Sequence, residues 1–378
     1  MKDQNSDNAR AAEIAALLLR SAEIGEKYYR TIIPGIGKVF DSAVQSALVQ
    51  HDSSGKPVKE IKAYSFSGGT AAQREDLAFY IGDSIATALW KQGRVVYQID
   101  PDTWNAIGEA DTTMTVPVEL LARLPHPNPL IVFPEPILIQ HPDEEFRQKV
   151  SAVYVSGVLE THIAGKKAVQ ALCSTHDPGV KGWTLQFVGF VEDRDGKPII
   201  ADDGFDPPMQ DLMRTRTSIM LDQPRSLSEM IEKAAERFIY GHDAFGKPDV
   251  DLPLLLRRAV NLLVYLCSEN SDLRPVEAKR KQSRKQRRTK PQPTQIVEVG
   301  YRVGQQLRAW KKYERDHENV PGTGKKKAPH IRRAHAHTYR VGKGRQDTII
   351  KWLWPIQINM TAGDETTTVV PVKGTRRK

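Results

Sequence analysis

A chain of 378 residues has room for two or three domains, or for one large mixed domain with an appendage. Hydrophobic residues at 39% exclude a disordered chain, and charged residues at 27% imply a folded body with polar excursions. The net charge of +9 is unevenly spread: cations far outnumber acids from Lys279 to Arg345, whereas residues 1–278 are acidic on balance. A polyanion-binding surface confined to one part of the molecule is the expectation.

The cysteines, Cys173 and Cys267, are too few and too far apart for a disulfide framework or a zinc site, and read as buried thiols in a reducing compartment. Asp3, Asp7 and Glu13 precede a short Ala/Leu run that lacks the basic start and cleavage site of a signal peptide. The most apolar stretch, Leu252 to Cys267, includes Arg257 and Arg258 and falls short of the roughly 20 residues that a membrane span needs. A cytoplasmic protein with no membrane partner, no metal and no cofactor is expected.

From the N-terminus, Ile14, Leu17, Leu18, Ile24 and Tyr28 have helical spacing within residues 9–29, and Pro34-Gly35 ends the helix. A second helix is expected over residues 40–49, then a strand over 60–66, and then a helix over 70–92 with Leu77, Ile81, Ile85 and Leu89 on one face. Strands are expected over residues 94–99, 130–133, 137–140, 152–159 and 183–191, forming an antiparallel sheet. Pro134 and Pro136 restrict their segment to an edge or a bend, because proline cannot donate to a ladder. Asp195-Gly196 is a hairpin signal. Ser226-Leu-Ser-Glu229 has the form of a capping box opening a helix to Tyr240, and residues 252–267 read as a buried helix.

The run Lys279 to Lys290 has no apolar residue and cannot offset the entropy of ordering, so residues 273–294 read as a basic flexible linker. A helix is expected over residues 296–315, with Val299, Val303, Leu307 and Trp310 on one face; Gly322 to Lys327 then breaks the chain. A terminal hairpin follows: residues 331–341, a Gly342-Lys-Gly-Arg345 turn, and residues 348–358. The fold class is α+β. The division is a mainly helical region 1–93, a mixed body 94–272, the linker 273–294, a basic RNA-facing helix plus hairpin 295–360, and a disordered tail 361–378, with residues 1–272 expected to stay folded without the rest.

The densest chemistry lies in Pro329-His-Ile-Arg-Arg-Ala-His-Ala-His-Thr-Tyr339. On a strand, a period of two puts Arg333, His335, His337 and Tyr339 on one face, and Arg332, Ala334, Ala336, Thr338 and Arg340 on the other. Imidazoles, a phenol and guanidinium groups in one place hold phosphates and stack on bases, which makes His330, Arg332, Arg333, His335, His337, Tyr339, Lys343 and Arg345 the candidate RNA-binding residues. Two other readings stay open. His335, His337 and Tyr339 could cleave a phosphodiester by acid–base chemistry, although no carboxylate or lysine near them in sequence tunes the pair. Alternatively, they only bond neighbours on a half-buried strand.

Weaker signals are read as structural. Ser67-Gly-Gly-Thr70 lacks the lysine of a phosphate loop and is expected to be a turn with a helix cap. Asp202, Asp203 and Asp206 lack the glutamate of a calcium loop. His141, Asp143, Glu144 and Glu145 read as a helix start.

The hairpin motif, followed by Trp352-Leu-Trp-Pro-Ile356 and Asn359, resembles the C-terminal signature of the type V-A anti-CRISPR family that inhibits biogenesis of its Cas nuclease. Leu262-Leu-Val-Tyr-Leu-Cys-Ser-Glu269 and Val299-Gly-Tyr-Arg-Val-Gly304 sit where that family has comparable stretches, and the resemblance covers about residues 130–360. It implies an inhibitor, more adaptor than enzyme, that recognises the nascent N-terminal peptide of the nuclease and causes loss of its messenger RNA. Its partners would then be that peptide and messenger RNA or the ribosome. Ala336 and Arg340 depart from the family pattern, where relatives tend to have aromatic residues.

Overall fold

The computed structural model describes residues 4–48, 60, 62, 64, 71–121, 123–126, 128–140, 147–156, 158–163, 166–171, 182–192, 195, 212–221, 223–236, 252–276, 294–317, 330–332 and 334–358. In chain order the elements are α1 (Gln4–Ile32), α2 (Ile36–Leu48), α3 (Ala71–Gly93), β1 (Val95–Ile99), α4 (Pro101–Gly108), β2 (Thr115–Val116), α5 (Val118–Leu121), β3 (Leu130–Gln140), β4 (Arg147–Ser156), β5 (Val158–Ile163) and β6 (Lys166–Ala171). Then come β7 (Gly182–Glu192), β8 (Leu212–Met220), β9 (Arg225–Ser226), α6 (Leu227–Glu236), α7 (Leu252–Leu266), β10 (Leu273–Pro275), β11 (Gln295–Val299), α8 (Tyr301–His317), β12 (His330–Arg332), β13 (His335–Val341), β14 (Asp347–Leu353) and β15 (Ile356–Ile358).

The fold is α+β, centred on a seven-stranded sheet in the order β10-β11-β1-β3-β4-β7-β8. The expected all-antiparallel sheet is corrected at β1, which runs parallel to both β11 and β3. Parallel pairing needs a long connection, and here α4 and α5 lie between β1 and β3 in the chain. The expected helix at 296–315 is corrected at its start: Gln295–Val299 is β11, inserted between β1 and β10, and α8 begins only at Tyr301. Ile296, Val297 and Val299 are β-branched and fit a buried strand as well as a helix face, so spacing alone misassigned them. Residues 1–272 by themselves therefore lack β10 and β11, the strands on one side of β1.

Alternation along the strands builds two cores. On one face Val96, Leu130, Val132, Ala152, Tyr154 and Val188 pack against Ala11, Ile14, Ala15 and Leu18 of α1 and Ala86 and Trp90 of α3. On the other, Tyr97, Ile99, Ile131, Phe133, Val153, Leu185 and Phe187 share a core with α4, α6 and α7 and with Ala334, Ala336, Ile350 and Trp352 of the terminal hairpin. Helix α7 is buried almost all round. Arg257 leaves this core by donating to the Ala110 carbonyl at 2.7 Å, and Arg258 lies over the Trp104 ring.

Pro134 and Pro136 lie within one strand in the interior of the sheet, where a register shift between Val132 and Ile137 makes the bend. Arg10 of α1 donates to the Pro134 carbonyl at 2.7 Å, satisfying an acceptor at that irregularity. The expected strand at 152–159 is split, its start belonging to β4 and its end to β5. Glu60, Lys62 and Tyr64 belong to no strand. The Ser226 hydroxyl accepts from the Glu229 N–H at 3.2 Å, as the capping box requires. Asp195 lies in a turn, and β7 pairs antiparallel with β8, whose first residue is Leu212.

Cys173, Ser67–Thr70, His141–Glu145, Asp202–Asp206, Lys279–Lys290, Gly322–Lys327, Arg333, Asn359 and 361–378 lie outside the described residues. Among the described residues no helix is long and apolar enough to cross a membrane.

Candidate nucleic-acid interface

Strands β13 and β14 form a seven-residue antiparallel ladder from His335↔Leu353 to Val341↔Asp347. Alternation divides it as the sequence implies. Ala336, opposite Trp352, and Ile350, opposite Thr338, point into the body and are buried. His337, opposite Lys351, and Tyr339, opposite Ile349, are exposed. The His337 and Tyr339 rings lie 4.5 Å apart between centroids, and the Lys351 ammonium stands 5.4 Å over the Tyr339 ring. A cation over an aromatic face at an exposed site contributes about 0.5–1 kcal/mol and holds the phenol ready for stacking.

Beyond Tyr339 the hairpin stands clear of the body, and no residue from Tyr339 to Asp347 is buried. The tip is a 3₁₀ turn over Lys343–Arg345 that uses positive φ at Gly342, Gly344 and Arg345, and it exposes both cations beside Arg340. At Gly342 a β-carbon would collide with the Asp347 carboxylate, which adds a second reason for glycine.

His335 differs from its neighbours. It is half-buried, and its imidazole is one of the groups that hold the Asp111 carboxyl below the usual carboxylate range. The main cause of that shift is the Thr113 N–H donating to Asp111 at 2.9 Å. The fold brings up groups that the sequence around the histidines does not show: Asp111 approaches His335 from the body, and Lys351 faces His337 across the ladder. Neither is close in sequence, and only the alternation of β14 could have marked Lys351. His330 and Arg332 lie in β12, paired with Ile358 and Ile356, one short step along the chain from the ring face.

The hairpin is tied down at its base. The Asn270 side chain accepts from the Trp352 N–H and donates to the Trp352 carbonyl, both at 2.8 Å, in the manner of an extra strand. Glu269 donates its N–H to the Ile350 carbonyl at 2.9 Å, and Trp352 and Trp354 both meet the Tyr265 ring edge-on.

The neighbouring α8 is basic, but three of its cations, Arg302, Arg308 and Lys311, hold acidic partners. Arg308 bonds Asp100 and Asp102, each at 2.8 Å; Lys311 bonds Asp102 at 2.8 Å; and Arg302 pairs with Asp272. Burial raises the Asp100 carboxyl despite Arg308. Burial pushes the same way at Asp102, but hydrogen bonds from Lys311 and Arg308 outweigh it and the carboxyl falls below its ordinary value. These acids also occupy the two helix starts at the ends of the parallel strands: Asp100 caps α4, and Asp272 accepts from the Arg302 N–H of α8 at 2.8 Å. Open α/β sheets bind phosphates at such helix starts. Here both are filled by carboxylates of the chain itself, whereas the cations of the hairpin tip are exposed. Among the described residues no group of three His, Cys, Asp or Glu side chains comes together to hold a metal.

No curated protein matches the chain. A solved structure described as a crystal structure of AcrVA2 is similar over 94% of this chain and 98% of its own, at 13% identity and a TM-score of 0.42. The model of the AcrVA2-like family, Anti-CRISPR type V subtype A2, matches residues 97–360, starting earlier than the hairpin motif suggested and including the β1–β11 core as well as the hairpin. A match over more than half of the chain shows the family: this protein belongs to the anti-CRISPR type V subtype A2 family.

Proposed function

We propose that this anti-CRISPR recognises the nascent N-terminal peptide of a type V-A Cas nuclease in the cytoplasm of the bacterial host and triggers loss of its messenger RNA, with the terminal hairpin as its RNA-facing surface. The observation that supports the RNA half is the exposed face of His337, Tyr339 and Lys351, continued by Lys343 and Arg345 at a tip that stands clear of the body. Flat rings serve as stacking platforms worth about 1–3 kcal/mol per base, and clustered cations track phosphates. The peptide half rests on family membership. The protein acts as an adaptor, and RNA is cut by a host nuclease.

Co-expression with a type V-A effector tests this reading. The effector's messenger should fall only when its N-terminal codons are translated, and synonymous recoding that preserves the peptide should leave the effect intact. Loss of the effect on recoding would show recognition of RNA sequence and overturn the nascent-peptide reading.

A further inference from the structure

The two edges of the central sheet differ. At one, β10 is three residues long and ends in Pro275, which blunts further pairing. At the other, β8 runs nine residues and pairs on its inner side with β7 from Gly182↔Met220 to Phe190↔Leu212. Among the described residues no strand pairs with its outer side. One face of β8 is closed by α6: Thr215, Thr217 and Ile219 are buried, and Thr217 donates its hydroxyl to the Ala234 carbonyl at 2.5 Å.

The opposite face holds Arg216. It ends a row across the sheet that runs Val96, Leu130, Tyr154, Gln186, Arg216, and its guanidinium lies against α3 so closely that a β-carbon at Gly82 would stand 2.9 Å from it. Its Nε is buried and has no hydrogen-bond partner, and no ion pair to Arg216 is present among the described residues. Burial lowers its pKa to about 10, the shift of a cation that lacks a compensating anion. A desolvated guanidinium at the rim of an open strand is matched by a carboxylate, and the strand itself offers a row of backbone donors and acceptors.

We infer that β8 is a docking edge for an extended peptide, which adds as a further strand and places an acidic side chain on Arg216. This deepens the peptide half of the proposed function and rests on it. Strand addition draws affinity from main-chain hydrogen bonds and specificity from alternate side chains. The partner is therefore read as an unfolded segment, the state in which a nascent chain is met.

The probe is a synthetic peptide with the N-terminal sequence of a type V-A effector nuclease, titrated against the full-length protein by fluorescence anisotropy. Two series of peptides, N-methylated at alternate residues in opposite phases, should differ: one phase weakens binding more than about tenfold and the other leaves it unchanged, because a strand uses every second N–H. Replacing each Asp and Glu of the peptide by its amide should cost about tenfold with the wild-type protein and little with Arg216→Gln, the loss of one charge-assisted contact counted once. The methylation series needs no protein variant, so misfolding of Arg216→Gln would not shield the idea. Binding that tolerates both methylation phases overturns strand addition while the peptide reading stands, and absence of any binding overturns both.

Discussion

Replacing Asn270 by alanine should loosen the terminal hairpin while leaving the sheet intact. The Asn270 amide makes two hydrogen bonds to the backbone of Trp352, each 2.8 Å. Each is worth about 1 kcal/mol net, so Asn270→Ala should cost about 2 kcal/mol, and more if the Trp352 N–H and carbonyl stay dry. The loss should appear as faster hydrogen exchange over Asp347–Leu353, by about 30-fold at 2 kcal/mol, with β1, β3 and β4 unchanged. Asn270→Asp refines the test. Its carboxylate still accepts from the Trp352 N–H, but the second oxygen faces the Trp352 carbonyl and bonds it only when protonated. The folded pKa of that carboxyl is thereby raised above the unfolded value near 3.9, so its stabilisation is complete below that value and is lost as pH rises through the folded pKa. At pH 7 the variant should be as loose as Asn270→Ala or looser, and at pH 4 it should recover part of the difference. Unchanged exchange in Asn270→Ala, or a pH-independent gap between the two variants, would refute the reasoning.

Further outcomes follow from the same geometry. Gly304→Ala drives a β-carbon into the buried Asp100 carboxylate and should destabilise the seat of α8 by roughly 1–3 kcal/mol, read by urea denaturation. Asp102→Asn should destabilise at neutral pH. Because the folded pKa of Asp102 is depressed, its contribution is present above the unfolded value and disappears as pH falls through the folded one, so the two proteins should converge in stability only below the usual carboxylate range. Paired replacement of Lys343 and Arg345 by alanine should flatten the log–log salt dependence of single-stranded RNA binding by about 0.7 per lost phosphate contact, and Tyr339→Ala should weaken binding by about 1–3 kcal/mol. Purified protein that turns over RNA, and loses at least about 10² in rate with His335→Gln or His337→Gln, would replace the adaptor by a histidine-dependent ribonuclease.

Much of the local structure was legible in the chain because local signals and burial agreed. Helix α7 is mostly apolar in sequence and mostly buried in space; Ser226 and Glu229 mark the start of α6; and the alternation from Ala334 to Tyr339 separates buried alanines from the exposed rings of His337 and Tyr339. The split between an acidic body and a basic end was equally visible, but its meaning was not: Arg302, Arg308 and Lys311 of α8 are engaged by Asp272, Asp100 and Asp102, residues distant from them in sequence, whereas the cations of the hairpin tip are exposed.

What the sequence by itself determined is therefore the α+β class, helices α1, α3, α6 and α7, the hairpin and the face on which its rings lie, since each depends on periodicities of a few residues. Only the tertiary structure decided that Gln295–Val299 is a strand, that it enters the sheet parallel to β1, and that among the described residues no strand covers the outer side of β8. The physical reason is that a run of β-branched residues fits a buried helix or a buried strand equally well. The choice between them is made by partners nearly two hundred residues away, through hydrogen bonds whose register no local pattern encodes.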